Sequence, residues 1–430
     1  MFLQIHTLTS YPATLLNRDD AGLAKRITFG DDLRLRISSQ CLKRHWRVSM
    51  QDSLPLPFGL RTRRFFSREI CRRLIDEKGL SVEQAVLLAK TLMSLLLPPS
   101  EKAKAEKTRR ATRGKRAAAG APDPTAGDAP DMDAAEAADS TAPPQTAAPD
   151  PDDPTLMTNQ VILFGKPEAD YLVNLLADCA SKGEGAVRAL TDILTSKKAN
   201  FSAMLRQAGH GNLYAGVEGA MFGRFVTSSI LARTDAPVHV LHAHTVHGQA
   251  QEIDFFTAVD DLNREDETGS ALADDMELGA GVYYGYINVD IPLLVSNFTG
   301  CDPQAWRSQE SAEVRQTLAT LIRTIATVSP GAKRGATAPY AYSDFVLLEA
   351  GRQQPRCLSN AFLQALRPRG NLTAQAVVAL GDYLRKQEGM FGPTADHRAL
   401  ATTCAWSGAP TPQPLPGAVD ETLARLFDQD

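Results

Sequence analysis

Cysteine pairs, long apolar runs and phosphate-cradling glycine loops are all missing from this 430-residue chain. The six cysteines (Cys41, Cys71, Cys179, Cys301, Cys357 and Cys404) are scattered with no close pair. That argues against a disulfide framework and a zinc ribbon, and makes a reducing cytoplasm the economical expectation. The longest apolar cluster, at 92–97, stops at Pro98-Pro99. It is too short to cross a bilayer, so no membrane partner is expected. The strand-like start, 2–8, comes without the basic n-region of a signal peptide. No Gly-rich loop ends in Lys-Ser or Lys-Thr, which speaks against the usual P-loop nucleotide hydrolysis. Gly216-Val217-Glu218-Gly219 lacks the dinucleotide fingerprint, and no nucleophile elbow is visible. Neither a cofactor nor a resident metal is expected.

What is present is segregated charge. The formal net charge is only −4. Yet from Arg34 to Arg73 the basic residues Lys43, Arg44, Arg47, Arg61, Arg63, Arg64, Arg68, Arg72 and Arg73 face only Asp52 and Glu69. A local basic surface governs polyanion binding more than the chain average does. Within this stretch Leu33, Leu35 and Ile37 alternate with Arg34 and Arg36, the pattern of a half-buried strand with its arginines on one face. Ser38 or Ser39 is a natural N-cap for the helix that follows. Helix starts normally attract acids, but the first turns here carry none and bring Lys43, Arg44 and Arg47. Amide donors, hydroxyls and cations together suit an anion such as phosphate. A solvated basic helix with an ordinary serine cap fits the same residues equally well.

A low-complexity stretch at about 98–154 divides the chain. Its first part is basic (Lys102 to Arg116) and its second is Ala/Pro-rich and acidic (Asp123 to Asp153). Too little of it is apolar to offset the cost of ordering, so a disordered surface insertion is expected, with an RNA-binding basic tail as the alternative. Helical spacing marks 65–97, 169–195, 201–206, 312–328 and 374–387, while 160–164, 282–290 and 345–348 read as strands. Residues 238–245 fit a strand or a helix. Such irregular alternation favours an α+β fold over a doubly wound sheet.

Other groups are weaker. On a strand His242 and His244 would share one face, with His239 and His247 on the other, and no Cys or carboxylate lies at a zinc-ligand spacing. Structural or RNA-contacting histidines are favoured over catalytic or metal-binding ones. Glu252, Asp254, Asp260 and Asp261 flank an apolar run and suit a hairpin better than a catalytic pair. Phe222-Gly223-Arg224-Phe225 sets an arginine between aromatics, and 329–335 is a Gly-containing basic loop. Each could touch RNA, and each alone reads equally as ordinary structure.

In order along the chain, Asn17-Arg18-Asp19-Asp20, 36–44, Phe222-Gly223-Arg224, 254–262 and 330–334 resemble the CasC family. That family is the repeated backbone subunit of the type I-E CRISPR Cascade complex. The resemblance implies an α+β fold: a modified RNA-recognition-motif (ferredoxin-like) palm, a helical finger insertion and a β-hairpin thumb. The palm would hold 1–53, 207–252 and, with C-terminal helices, 279–430; the finger 54–206, including the insertion; and the thumb 253–278. It further implies a non-catalytic subunit that binds crRNA and stacks head-to-tail on further copies of itself beside other Cascade subunits. The guide would then be presented for pairing with target DNA in antiviral defence. Carried over by position, Arg18 and Lys25 fall on an RNA-contacting loop. Ser38, Gln40, Lys43, Arg44 and Arg47 fall on a phosphate-binding helix start. Arg224 and Phe225 fall on the segment at the kinked backbone, where the family often has Met in place of Phe225. The insertion at 98–154 departs from the family pattern. The alternative is a metal-independent CRISPR-type endoribonuclease using a histidine from 239–247.

Overall fold

The computed structural model describes residues 1–97, 150–196, 203–205, 213–224, 233–258, 272–309, 312–332, 334–367 and 369–428. Its strands are β1 (Phe2–Thr14), β2 (Arg26–Phe29), β3 (Asp32–Ile37), β4 (Gly59–Thr62), β5 (Ile162–Gly165), β6 (Val238–Val240), β7 (Ala243–Thr245), β8 (Gln251–Ala258), β9 (Leu272–Asp290), β10 (Ser343–Gly351) and β11 (His397–Thr402). The chain divides into two units, Met1–Gly59 with Gly211–Arg224 and Thr234–Asp430, and Leu60–His210 with Phe225–Arg233. Mixed helix and antiparallel sheet make this an α+β protein, as the alternation of patterns predicted. No helix of the described residues is long and apolar enough to cross a membrane.

The first unit is organised by β1 and β9. Its sheet runs β11-β10-β1-β9-β7-β3-β2, and β6 and β8 also pair with β9. Phe2 pairs with Asp290 on one side and with Gly351 on the other, so β1 lies between two antiparallel neighbours. Side chains alternate across the sheet. Leu3, Ile5, Val346, Leu348, Ile287 and Val289 join a core that includes Leu42, Trp46 and Met50 of helix α1 (Ser39–Ser53) and apolar side chains of the helices Ile291–Thr299, Ala312–Thr327 and Leu415–Phe427. Leu8, Tyr284, Phe345, Leu347 and Leu400 enter a second core with Val377, Leu380 and Leu384 of the helix Leu372–Phe391. A sheet covered on both faces explains why β10 reads as an unbroken apolar run.

Two-sided cover also corrects one expectation. Arg34 and Arg36 do not share an exposed face. Arg34 is fully buried, donating to the Phe362 carbonyl at 2.9 Å and the Thr245 carbonyl at 3.4 Å, while Leu33 is exposed. The face opposite the first core is here another interior, not water.

The second unit is mainly helical, with β4 and β5 as a two-stranded sheet. Phe65, Phe66 and Phe164 are buried, and the Phe65 and Phe164 rings stack with centroids 3.8 Å apart. The helix expected at 65–97 is broken. A π-helical turn, Phe65–Cys71, runs into Arg72–Asp76, and Ser81 caps a new helix, Val82–Leu96. The helix expected at 169–195 is likewise two, Lys166–Ala180 and Ala186–Thr195, with Gly183–Gly185 between them.

Part of the basic run is neutralised inside this unit. Arg68 and Arg72 pair with Asp152, Lys90 with Asp153 at 2.7 Å, and Arg73 with Glu77 and Asp170. Residues 150–154 of the expected disordered insertion are thus folded, held by these ion pairs. Residues 98–149 lie outside the described residues.

Candidate nucleic-acid interface

α1 starts where the sequence placed it. Ser38 is extended (φ −67°, ψ 146°), and its hydroxyl accepts from the Cys41 amide at 3.3 Å. The Ser38 amide donates to Asn17 Oδ1 at 2.9 Å, which ties the helix start to the segment after β1. Ser38 is therefore a buried cap whose hydroxyl is already engaged. No acid lies in the first turn. The amides of Ser39 and Gln40 have no acceptor within the helix, and the positive end of the helix dipole is left without a carboxylate of its own. Gln40 and Arg44 are exposed there.

Other segments are hooked onto this start by backbone hydrogen bonds. The Lys25 amide donates to the Asn17 carbonyl at 2.9 Å, and the Arg36 amide to the Lys25 carbonyl at 2.8 Å. The Ala332 amide donates to the Leu15 carbonyl at 2.9 Å, bringing in the loop that carries Arg334. Arg44, His45 and Arg334 then line one groove, together with a single acid, Asp52. The Cys41 thiol registers the result. Burial pushes it above its ordinary value, against the opposing pull of Arg44, Lys25 and Arg334. His45 is held below its ordinary value by burial and by Arg334 and Arg44, while its Nδ1–H donates to the Cys41 carbonyl at 2.9 Å. Arg18 is exposed on the neighbouring loop, whose backbone is bridged from Arg18 to Ala24.

Three predicted residues are turned toward the protein. The Lys43 ammonium stands 5.4 Å from the Phe222 ring centroid, and Arg47 donates to the buried Glu218 at 3.3 Å. Arg224 is buried, exchanges backbone hydrogen bonds with Thr234 at 2.9 and 3.1 Å, and lays its guanidinium 5.5 Å from the Tyr214 ring centroid. Gly223, at φ +75°, allows this approach, since a Cβ there would meet the Thr234 carbonyl oxygen at 2.8 Å. The glycine serves internal packing. Phe225, Lys333, Asp260 and Asp261 lie outside the described residues. Asn17 and Arg334 were absent from the predicted set. Asn17 could have been found as a short polar side chain just before a basic loop; Arg334 stood in a loop already marked as basic.

The histidines do not form a cluster. His239 is exposed on β6. His242 Nδ1 accepts from Arg36 at 2.9 Å, and burial with Arg36 and Lys25 nearby lowers its pKa. His244 is buried with its ring centroid 4.7 Å from that of Phe29. His247 donates from Nδ1 to the Gly248 carbonyl at 2.6 Å and accepts at Nε2 from the Val282 amide at 3.3 Å. Burial holds His244 and His247 below their ordinary values as well. Among the described residues no group of three or more His, Cys, Asp or Glu is placed to hold a metal ion.

Fold and surface together define an antiparallel α+β protein with a basic strand–helix junction beside one end of its central strand. The family described as CT1975-like protein (Cas_CT1975) matches residues 3–428, and the chain belongs to that family. Among solved structures, one chain of a "CRISPR RNA-guided surveillance complex, pre-nicking" is 25% identical with a TM-score of 0.69, covering 99% of this chain and 100% of that one. Another, from a "CRISPR RNA-guided surveillance complex", is 20% identical with a TM-score of 0.51 over 99% and 100%, a likeness of fold alone. Comparison with curated proteins gives no match.

Proposed function

We propose that this chain is a non-catalytic, crRNA-binding backbone subunit of a type I-E Cascade surveillance complex. Copies polymerise head-to-tail along the guide, a heterologous contact that makes an open helix, and present its bases for pairing with target DNA. In this reading the two-sided sheet is the RNA-recognition-type palm, the helical unit is the finger, and the β8–β9 hairpin belongs to the thumb. The observation that carries it is the convergence of Lys25, Arg44 and Arg334, from three distant segments, around a helix start without acids. Arg18 and Gln40 stand exposed in the same neighbourhood. The similarity to chains of RNA-guided surveillance complexes supports the same reading.

RNA is then held through its phosphates, so affinity falls with salt and is indifferent to spacer sequence. The test is Lys25→Glu with Arg44→Glu, purified beside the wild type. RNA is expected to co-purify with the wild type and be lost from the double variant, with the far-ultraviolet circular dichroism unchanged. RNA-loaded filaments from the double variant would refute the helix-start assignment. The endoribonuclease alternative would replace this proposal if the protein cleaved repeat RNA without metal and lost that activity on His244→Ala.

A further inference from the structure

The segment between the helix Ala312–Thr327 and β10 is closed on itself. Ser329 Oγ donates to the Ala341 carbonyl and accepts from the Ala341 amide, both at 2.9 Å. Arg334 donates to the Ser329 carbonyl at 3.2 Å. The two legs of the loop touch, since a Cβ on Gly331 would come within 2.7 Å of Pro339 Cγ. Ala338 sits at φ +41°, the one non-glycine residue with positive φ among those described. Alanine adopts that conformation only when its surroundings impose it.

Beyond this clamp, exposure alternates. Pro339 is buried and Ala341 half-buried, whereas Tyr340 and Tyr342 are 72% and 74% exposed. A slack loop would fold such rings against apolar neighbours, because burial stabilises them. Here hydrogen bonds and a strained residue hold them in water. The same loop carries Arg334 into the groove shared with Arg44 and His45. One loop thus carries both a cation that lines the groove and two exposed aromatic faces, the composition of a single-strand nucleic-acid platform.

We infer that Tyr340 and Tyr342 are a base-stacking platform: unpaired nucleobases of a strand gripped at the α1 start lie on their rings. The inference rests on the RNA-binding reading above and names the part of the RNA that this loop takes. Stacking is indifferent to base identity and uses no charge.

The test measures affinity and its salt dependence for the full chain on a short single-stranded RNA and on an abasic sugar–phosphate oligomer of the same length. Tyr340→Ala and Tyr342→Ala should each weaken RNA binding roughly five- to a hundredfold without altering the salt slope. Tyr→Trp at either position should restore binding, and the abasic oligomer should bind wild type and variants alike. Undiminished RNA affinity in both alanine variants overturns the platform, and so does a loss confined to self-association. Those results leave the RNA-binding reading intact, provided Lys25→Glu with Arg44→Glu still abolishes binding. If that double variant binds RNA as the wild type does, the RNA grip itself fails, and the platform with it.

Discussion

Glu349 and the start of α1 both gather basic side chains, and they treat them in opposite ways. Glu349 is fully buried, accepting from Arg398 Nε at 2.7 Å, from Arg356 at 2.5 and 3.0 Å, and from His6 Nε2 at 3.0 Å. Tyr284 hydroxyl accepts from the Leu358 amide at 2.8 Å and is hydrogen-bonded to His6 Nδ1 at 2.9 Å. Burial pushes the Glu349 carboxyl up, but the hydrogen bonds from His6 and Arg356 and the charge of Arg356 outweigh it and hold it well below the usual carboxylate range. Burial keeps His6 below its ordinary value despite the pull of Glu349. At α1, by contrast, Lys25, Arg44 and Arg334 converge on a first turn with no acid. Arginines balanced by an internal carboxylate are architecture. Cations assembled at an acid-free helix start are, in the proposed reading, there for an anion from outside.

The sharpest break of this comparison is at Glu349. Glu349→Leu takes from the half-buried Arg356 its carboxylate partner and from the half-buried Arg398 one of its two, Glu388 remaining, and should cost about 3 kcal/mol in urea unfolding. The salt slope of RNA binding should not move. The pH dependence follows the same network. Both His6 and Glu349 bind protons less readily folded than unfolded, so each contributes fully above its unfolded pKa and is lost as pH falls. Stability should decline first as pH drops through about 6.5 with His6, and again, below the ordinary carboxylate range, with Glu349. In Glu349→Leu the second decline should disappear.

At the α1 start the effects on stability are smaller. Ser38→Ala removes the cap and should cost about 1 kcal/mol in the same assay. Arg44→Ala should change stability by less than about 0.5 kcal/mol and yet lower the RNA salt slope by about one. If Arg44→Ala proved as destabilising as Glu349→Leu, the two regions would be alike and the contrast would fall.

The strongest elements were legible because one physical signal dominated each. The helix Ala312–Thr327 has a clear apolar stripe, and β10 a clear apolar run. The Ser38 cap followed from a short hydroxyl before a helical pattern. Other features depended on distant partners. Arg34 looked exposed because alternation assumes one wet face, whereas both faces of this sheet are covered. β9 begins at Leu272, well before its apolar part, because β8 pairs with its acidic and glycine-containing half. The break near Ser81 lies between two helices that one helical spacing joins. Tyr340 and Tyr342 lie in a loop without periodicity, and only its closure gives them meaning.

The most direct measurement of the central claim is nuclease digestion of RNA carried by the purified protein, followed by sizing of the protected fragments. A subunit that grips the guide once per copy should leave fragments in regular multiples of one spacing, in RNA of unrelated sequence. Bound RNA trimmed without any period, or protein free of RNA at low salt, would contradict it.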